Sequence, residues 1–143
     1  MRELDLIIIH CSASPNGRHH TVADIDRWHK ERGFSGIGYH YVIYTDGTAH
    51  IGRSIECVGA HCAGYNARSV GICLIGTDKF STKQWDRLKT LVEKLQEQYT
   101  IYRVAGHNEI PRVAKACPGF SVKAWRENEK KALGGYINEI VHA

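Results

Sequence analysis

The chain has 143 residues, of which 43% are hydrophobic and 24% charged, the composition of one globular domain and not of a disordered, collagen-like or coiled-coil protein. Its longest apolar runs, Leu6 to Ile9 among them, are far short of the ~18 residues a membrane span needs, so no membrane insertion is expected. The net charge of +4 suits a polyanionic partner such as a bacterial wall or nucleic acid, and a basic surface without such a role about equally.

The opening Met1-Arg2-Glu3-Leu4-Asp5 places two acids where the apolar part of a signal peptide would begin, so a chain cytoplasmic at synthesis, or a mature form, is expected. Leu4 to His10 alternates and then becomes wholly apolar and β-branched, which predicts a strand buried on both faces. Ser12 to His20, with Pro15-Asn16-Gly17, reads as a loop. Thr21 and Asp24 then open a helix with Val22, Ile25, Trp28 and His29 on one face and Gly33 at its end. Tyr39 to Thr45, the turn Asp46-Gly47 and Thr48 to Arg53 predict a β-hairpin. Ser69 to Gly76 reads as a second buried strand. Ser81 and Gln84 form a capping box for a helix to Tyr99, whose Trp85, Leu88, Leu91, Val92, Leu95 and Tyr99 share a stripe. A strand is predicted over Ile101 to Ala105 and a helix from Ser121 to about Lys131, followed by Gly134-Gly135 and an amphipathic tail.

There is no repeat, linker or low-complexity tract, so residues 1–143 read as one domain. Strands and helices interleave, which predicts an α/β fold bordering on α+β: a mixed sheet of about five strands flanked by helices. The hairpin supplies the antiparallel part and the helical crossovers the parallel part.

Nine histidines and five cysteines raise the prospect of a metal site. The odd cysteine count prevents complete pairing within the chain, and in a reducing compartment such cysteines are buried thiols, metal ligands or nucleophiles. Three positions stand out. His10 ends the first strand, His107 follows the Ile101–Ala105 strand, and Cys117 lies in Lys115-Ala116-Cys117-Pro118-Gly119. Ligands gather at strand ends in open α/β sheets, and two imidazoles with one thiolate make a three-ligand zinc site that leaves a position for water. With no close CxxC or HExxH pair, spacing alone leaves open the reading of structural histidines and a buried thiol. His61 and Asn66 belong to the small-residue loop Gly59-Ala60-His61-Cys62-Ala63-Gly64-Tyr65-Asn66, of the type that lines binding clefts. His19 and His20 are expected in solvent, Trp28, Trp85 and Trp125 in the core, and Cys11, Cys57, Cys62 and Cys73 as ordinary apolar thiols.

Several segments, in order, resemble the zinc-dependent N-acetylmuramoyl-L-alanine amidases of the bacteriophage lysozyme type, kin to the peptidoglycan recognition proteins. They are Ile9-His10-Cys11-Ser12-Ala13; Ile25-Asp26-Arg27-Trp28-His29; Gly36-Ile37-Gly38-Tyr39-His40-Tyr41-Val42-Ile43 with Asp46-Gly47-Thr48; Val58-Gly59-Ala60-His61 with Gly64-Tyr65-Asn66; Ser69-Val70-Gly71-Ile72; Gly106-His107-Asn108-Glu109; and Lys115-Ala116-Cys117-Pro118-Gly119-Phe120. They span about residues 7–121, with a C-terminal helix and tail over 121–143. The resemblance implies zinc ligands at His10, His107 and Cys117, one ion per chain, and catalytic roles for Tyr39 and Lys115. It implies cleavage of the amide between N-acetylmuramic acid and L-alanine, with peptidoglycan or muropeptide fragments as partners. Recognition proteins that have lost activity typically lack the cysteine or its equivalent, so keeping Tyr39, Lys115 and Cys117 together implies an enzyme. The loop from His107 to Lys115, with Pro111-Arg112, reads as longer than in the phage enzymes. A monomer acting on the wall after lysis or assisted export is expected. The rival readings are a non-catalytic peptidoglycan-binding module and a cysteine hydrolase using Cys117 with His107. A copper carrier lacks the axial Met, and a nucleic-acid binder lacks a basic stripe.

Overall fold

The computed structural model describes residues 2–127. Its elements run β1 (Leu6–Cys11), α1 (Val22–Glu31), β2 (Tyr41–Ile43), β3 (Ala49–Ile51), β4 (Ser69–Leu74), α2 (Thr82–Tyr99), β5 (Arg103–Gly106) and α3 (Val122–Glu127), with 3-10 turns at Asn66–Arg68 and His107–Glu109. The strands form one mixed sheet in the order β3-β2-β4-β1-β5, parallel throughout except for the β2–β3 hairpin. This is the expected α/β architecture.

The apolar run of β1 makes it central. It pairs with β4 on one side and β5 on the other, and all six of its residues are buried. Strand side chains alternate between faces. Ile7, Ile9 and Cys11 of β1, with Val70, Ile72 and Leu74 of β4, meet the stripe Trp85, Leu88, Leu91, Val92 and Leu95 of α2 in the main core. Each large side chain buried there is worth roughly 1.5–3 kcal/mol relative to its exposed state. The opposite face carries Leu6, Ile8 and His10 of β1 and Cys73 of β4. Ile25 of α1 packs on Val42 and Cys73, while Cys62 and Ile110 close over Leu6 and Ile8. The alternation therefore turns His10 away from α2, toward the face where the loops gather.

Both expected helix starts are capping boxes, Thr21 with Asp24 and Ser81 with Gln84. Gly33, at φ 92°, follows the C-cap of α1, a conformation in which Gly costs little. The regular ladder of the hairpin has the pairs Tyr41↔Ile51, Val42↔His50 and Ile43↔Ala49. Beyond these pairs the two arms stay bonded, the Gly52 and Arg53 N–H groups donating to the His40 and Tyr39 carbonyls at 2.9 and 2.8 Å. The Ala60 N–H donates to the Gly38 carbonyl, and a Cβ at Gly38 would collide with the Ala60 carbonyl. The last strand begins at Arg103 and not at Ile101, whose side chain instead plugs the core. Trp85 and Trp125 are buried as expected, whereas Trp28 is half-buried beside His20. Helix α3 covers the first part of the helix expected from Ser121. The remainder of it, the Gly134-Gly135 tail and His142 lie outside the described residues. No helix among the described residues is long and apolar enough to cross a membrane.

His40 is fully buried. Its Nδ1 accepts the Gly71 N–H at 3.0 Å and its Nε2 meets the Cys57 carbonyl at 2.8 Å, a pattern that needs the neutral ring with its proton on Nε2. Burial lowers its pKa to about 4. The unfolded chain, with a histidine pKa of ~6.5, therefore binds a proton in the interval that the folded chain refuses. The stabilising contribution is complete above that unfolded value and is lost as pH falls from there toward about 4. The melting temperature of metal-free protein is expected to fall steadily over this interval, and by less in His40→Gln. Equal losses in the two proteins would contradict this origin.

Candidate metal centre and cleft

The C-terminal ends of β1 and β5 bring His10 and His107 side by side, because Ile9 pairs with Gly106, each immediately preceding its histidine. Their ring centroids lie 4.5 Å apart. Cys117 arrives on the coil that returns toward α3. One nitrogen of each imidazole and the Cys117 sulfur all lie within 4.8 Å of one another. This is the one such cluster among the described residues. Cys57 and Cys62 make no second one with His61.

The turn carrying His107 is braced from outside the cluster. Asn108 N–H donates to the Cys117 carbonyl at 2.8 Å, and its carboxamide donates to the Phe120 carbonyl at 3.2 Å. Glu109 accepts the Gly106 and Lys123 N–H groups at 3.0 and 2.9 Å. Asn108 and Glu109 thus tie the two ligand-bearing segments together. The Cys117 sulfur accepts the Cys11 N–H at 3.1 Å, but the Cys11 side chain and burial outweigh that donor and push the thiol's pKa well above its ordinary value.

His61 lies against the cluster. Its Nδ1 is 2.9 Å from His10 Nε2, and its Nε2 is 3.3 Å from Ser69 Oγ. Two assignments of protons satisfy both contacts, and the one in which His61 Nε2–H donates to Ser69 and His10 Nε2–H donates to His61 is the one that suits metal binding. That leaves the lone pair of His10 Nδ1 for an ion. Gly71 makes room for this ring, since a Cβ there would stand 2.7 Å from it. Asn66 is committed to the same loop, its Oδ1 accepting the N–H groups of His61 and Cys62 at 3.0 and 2.9 Å.

Burial and neighbouring positive charge hold these rings neutral. His10 is pushed well below its ordinary value by burial, then by His61, His107 and Lys115. His61 falls to about 3 through burial and the nearby His40 and His107. His107 is lowered by burial and by Lys115. Neutral imidazole is the form that binds metal. Burial raises the Tyr39 phenol well above its usual value, so it stays protonated.

The cluster forms the floor of a cleft of about 1170 Å³. Tyr39 lies on its wall, 5.0 Å from the His10 ring and 5.2 Å from His29. The His29 Nδ1 accepts the Gly38 N–H at 2.9 Å and so braces the segment that presents Tyr39. Lys115 is exposed and lines the mouth with Arg32 and Arg112. No carboxylate is among the described lining residues. His61 and Asn66 also border the cleft. The expected residues therefore converge on one place. Cys11, His29, Ser69 and Gly71 belong to the motif segments, but nothing in the sequence marks their supporting roles, which depend on contacts between segments.

Two imidazoles and a thiol at the strand ends of a mixed sheet, open on one side to a cleft holding a phenol and an ammonium, define a candidate metallohydrolase centre. The family model of N-acetylmuramoyl-L-alanine amidases matches residues 1–120. The endolysin of Escherichia phage T7 is 38% identical over 134 residues, 88% of this chain and 87% of the endolysin. The amidase LysC from Clostridium intestinale shares the fold with a TM-score of 0.80 at 32% identity, over 90% of this chain and 85% of LysC. A further structure, of tracheal cytotoxin bound to the ectodomain complex of peptidoglycan recognition proteins LCa and LCx, matches with a TM-score of 0.75 at 26% identity, over 91% and 83% of the two chains. The chain belongs to the N-acetylmuramoyl-L-alanine amidase family and is a peptidoglycan amidase.

Proposed function

We propose that the amidase works with one zinc ion per chain, held by His10, His107 and Cys117, and cuts the bond between N-acetylmuramic acid and L-alanine. The observation that carries this reading is the convergence of the three donor atoms within 4.8 Å at the floor of the cleft. The donors suit the ion: both imidazoles are held neutral, and the thiol, which the Cys11 side chain and burial keep protonated, would release its proton on binding the ion, as cysteine ligands do. Bound zinc supplies a Lewis acid that polarises the amide carbonyl and acidifies water from a pKa of ~16 toward ~7.

The chain's own groups do the rest. The protonated Tyr39 hydroxyl hydrogen-bonds the attacking water or the carbonyl oxygen and holds the amide against the floor. The Lys115 ammonium, at the mouth, offsets the negative charge that develops on that oxygen. It also favours substrates bearing carboxylates, as do Arg32 and Arg112. His61 keeps His10 in the ligating tautomer, while Asn66 holds the loop that presents His61. The substrate is the wall or its muropeptide fragments. Support comes from the open cleft, its cationic lining and the muropeptide-type ligand named for the recognition-protein neighbour. The wall is reached after lysis or by assisted export.

The test is release of stem peptide from purified wall. Chelation should abolish it and added zinc should restore it, with a thiol alkylator having no effect on zinc-loaded protein. Indifference to chelators together with loss on alkylation would favour the cysteine hydrolase. His61→Ala is expected to weaken zinc affinity ~10–100-fold while leaving all three ligands in place, measured by competition with a chromophoric chelator. Unchanged affinity with slower wall cleavage would instead place His61 in substrate binding.

A further inference from the structure

Three cysteines line the cleft, Cys11, Cys62 and Cys117, and the metal chemistry uses one of them. Cys11, the last residue of β1, is 5% exposed and borders the cleft together with Cys117. The Cys117 sulfur sits 3.1 Å from the Cys11 amide nitrogen and 3.8 Å from the Cys11 carbonyl oxygen. The Cys117 side chain packs against the buried cluster that contains Cys11. The geometry is asymmetric in a useful way. Cys11 is anchored in the central strand, whereas Cys117 rides on coil between the turn at His107–Glu109 and α3, so its sulfur can move toward its neighbour without disturbing the sheet. A buried thiol is ordinarily inert because it meets neither oxidant nor partner thiol. Here the partly buried Cys117 sulfur is the one a small oxidant in the cleft would reach, and Cys11 is its neighbour behind it. Cys57, by contrast, is exposed and does not border the cleft.

We propose that Cys11 and Cys117 form an oxidisable dithiol in which a peroxide joins the two sulfurs and removes the sulfur ligand from the metal centre. The consequence for the metal rests on the zinc reading above; the crosslink itself does not. In the first step a thiolate of the pair attacks one peroxide oxygen, the O–O bond breaks, hydroxide leaves, and a sulfenic acid remains. In the second the neighbouring thiol attacks that sulfur, the S–O bond breaks, and the hydroxyl departs with the thiol proton as water. Two sulfurs together lose two electrons and the peroxide gains them. A disulfide sulfur is no longer an anionic ligand, so two imidazoles alone remain for the ion. Reduction by a dithiol reverses the change, whereas a lone cysteine in the same place would proceed to irreversible oxygen adducts.

Zinc-loaded and metal-free parent protein are treated with hydrogen peroxide, alkylated and digested without reduction. Peptides are mapped by mass spectrometry, and zinc release is followed with a chromophoric chelator. A Cys11–Cys117 peptide pair about 2 Da lighter than the sum of its thiol forms is expected in both samples. About one zinc should be released per crosslink in the loaded sample, with rebinding after dithiothreitol. Cys11→Ala keeps the backbone N–H that contacts Cys117, so it should bind zinc, yield no crosslink and collect irreversible adducts at Cys117. Cys11→Ser serves the same purpose if the alanine variant does not fold. The proposal is overturned if oxidation is confined to Cys57 or to single sulfurs in both parent samples, or if the crosslink forms with zinc fully retained. A parent that never binds zinc yet forms the crosslink refutes the metal reading and retains the dithiol.

Discussion

His10→Ala, His107→Ala and Cys117→Ala are each expected to purify with little zinc and to lose at least ~10³-fold in kcat/KM for wall cleavage. Each contributes one donor atom to a cluster that spans 4.8 Å or less, and a two-donor remnant competes poorly with water for the ion. The loss should be in metal content first. Zinc per chain is measured on the purified variants by atomic emission, and folding is checked by circular dichroism. His10→Ala should also leave His61 Nδ1 without its 2.9 Å partner, so some loss of stability is expected there beyond the loss of metal. Stoichiometric zinc in any of the three variants would refute the ligand assignment. Cys117→Ser separates the readings further. A cysteine nucleophile would lose its chemistry with metal binding untouched, whereas a zinc ligand would lose much of both.

Tyr39→Phe is expected to lower kcat by ~10²–10³-fold with zinc content unchanged. Only the hydroxyl is removed. The ring keeps its contacts with His10 and His29 at 5.0 and 5.2 Å, so the wall of the cleft stays in place. The phenol matters as a proton-bearing donor, because burial keeps it protonated far above neutral pH. The pH–rate profile of the parent should therefore show no limb from Tyr39 near neutrality. Lys115→Met should produce a comparable loss in kcat/KM, in part through KM, because its ammonium stands at the exposed mouth where carboxylated substrates enter. A Tyr39→Phe enzyme with parental kcat would remove the hydroxyl from the chemistry.

Much of the fold was legible because its signals are local. The β-branched run of Leu6–Cys11 could only be a central strand, and the capping boxes at Thr21 and Ser81 marked both long helices. The hairpin turn is equally plain, and although its regular ladder covers three pairs, backbone bonds join the arms from Tyr39 and Arg53 to Tyr44 and Thr48. Gly38 crosses Ala60 just before the hairpin, a contact between segments that no periodicity encodes. Trp28 is in the core only in part: it packs against the cluster around Ile25 and also borders the cleft, a division set by how α1 lies on the sheet.

The amino-acid sequence by itself determined the α/β class, the strand-end placement of His10 and His107 and, through the ordered motifs, the amidase family. Those features depend on residue type, short-range period and spacing. Only the tertiary structure decided that Cys117 meets the two imidazoles and lies against Cys11, 106 residues away. It alone seated the His61 ring over Gly71 to hold His10, and turned Asn66 into a brace for that loop. The β1–β4 and β1–β5 registers set His10 beside His107 and Gly71, and the loops that carry Cys117 and His61 then close onto that frame. A register is set by the burial of a whole sheet, so the neighbours of any one side chain are fixed only when the sheet forms.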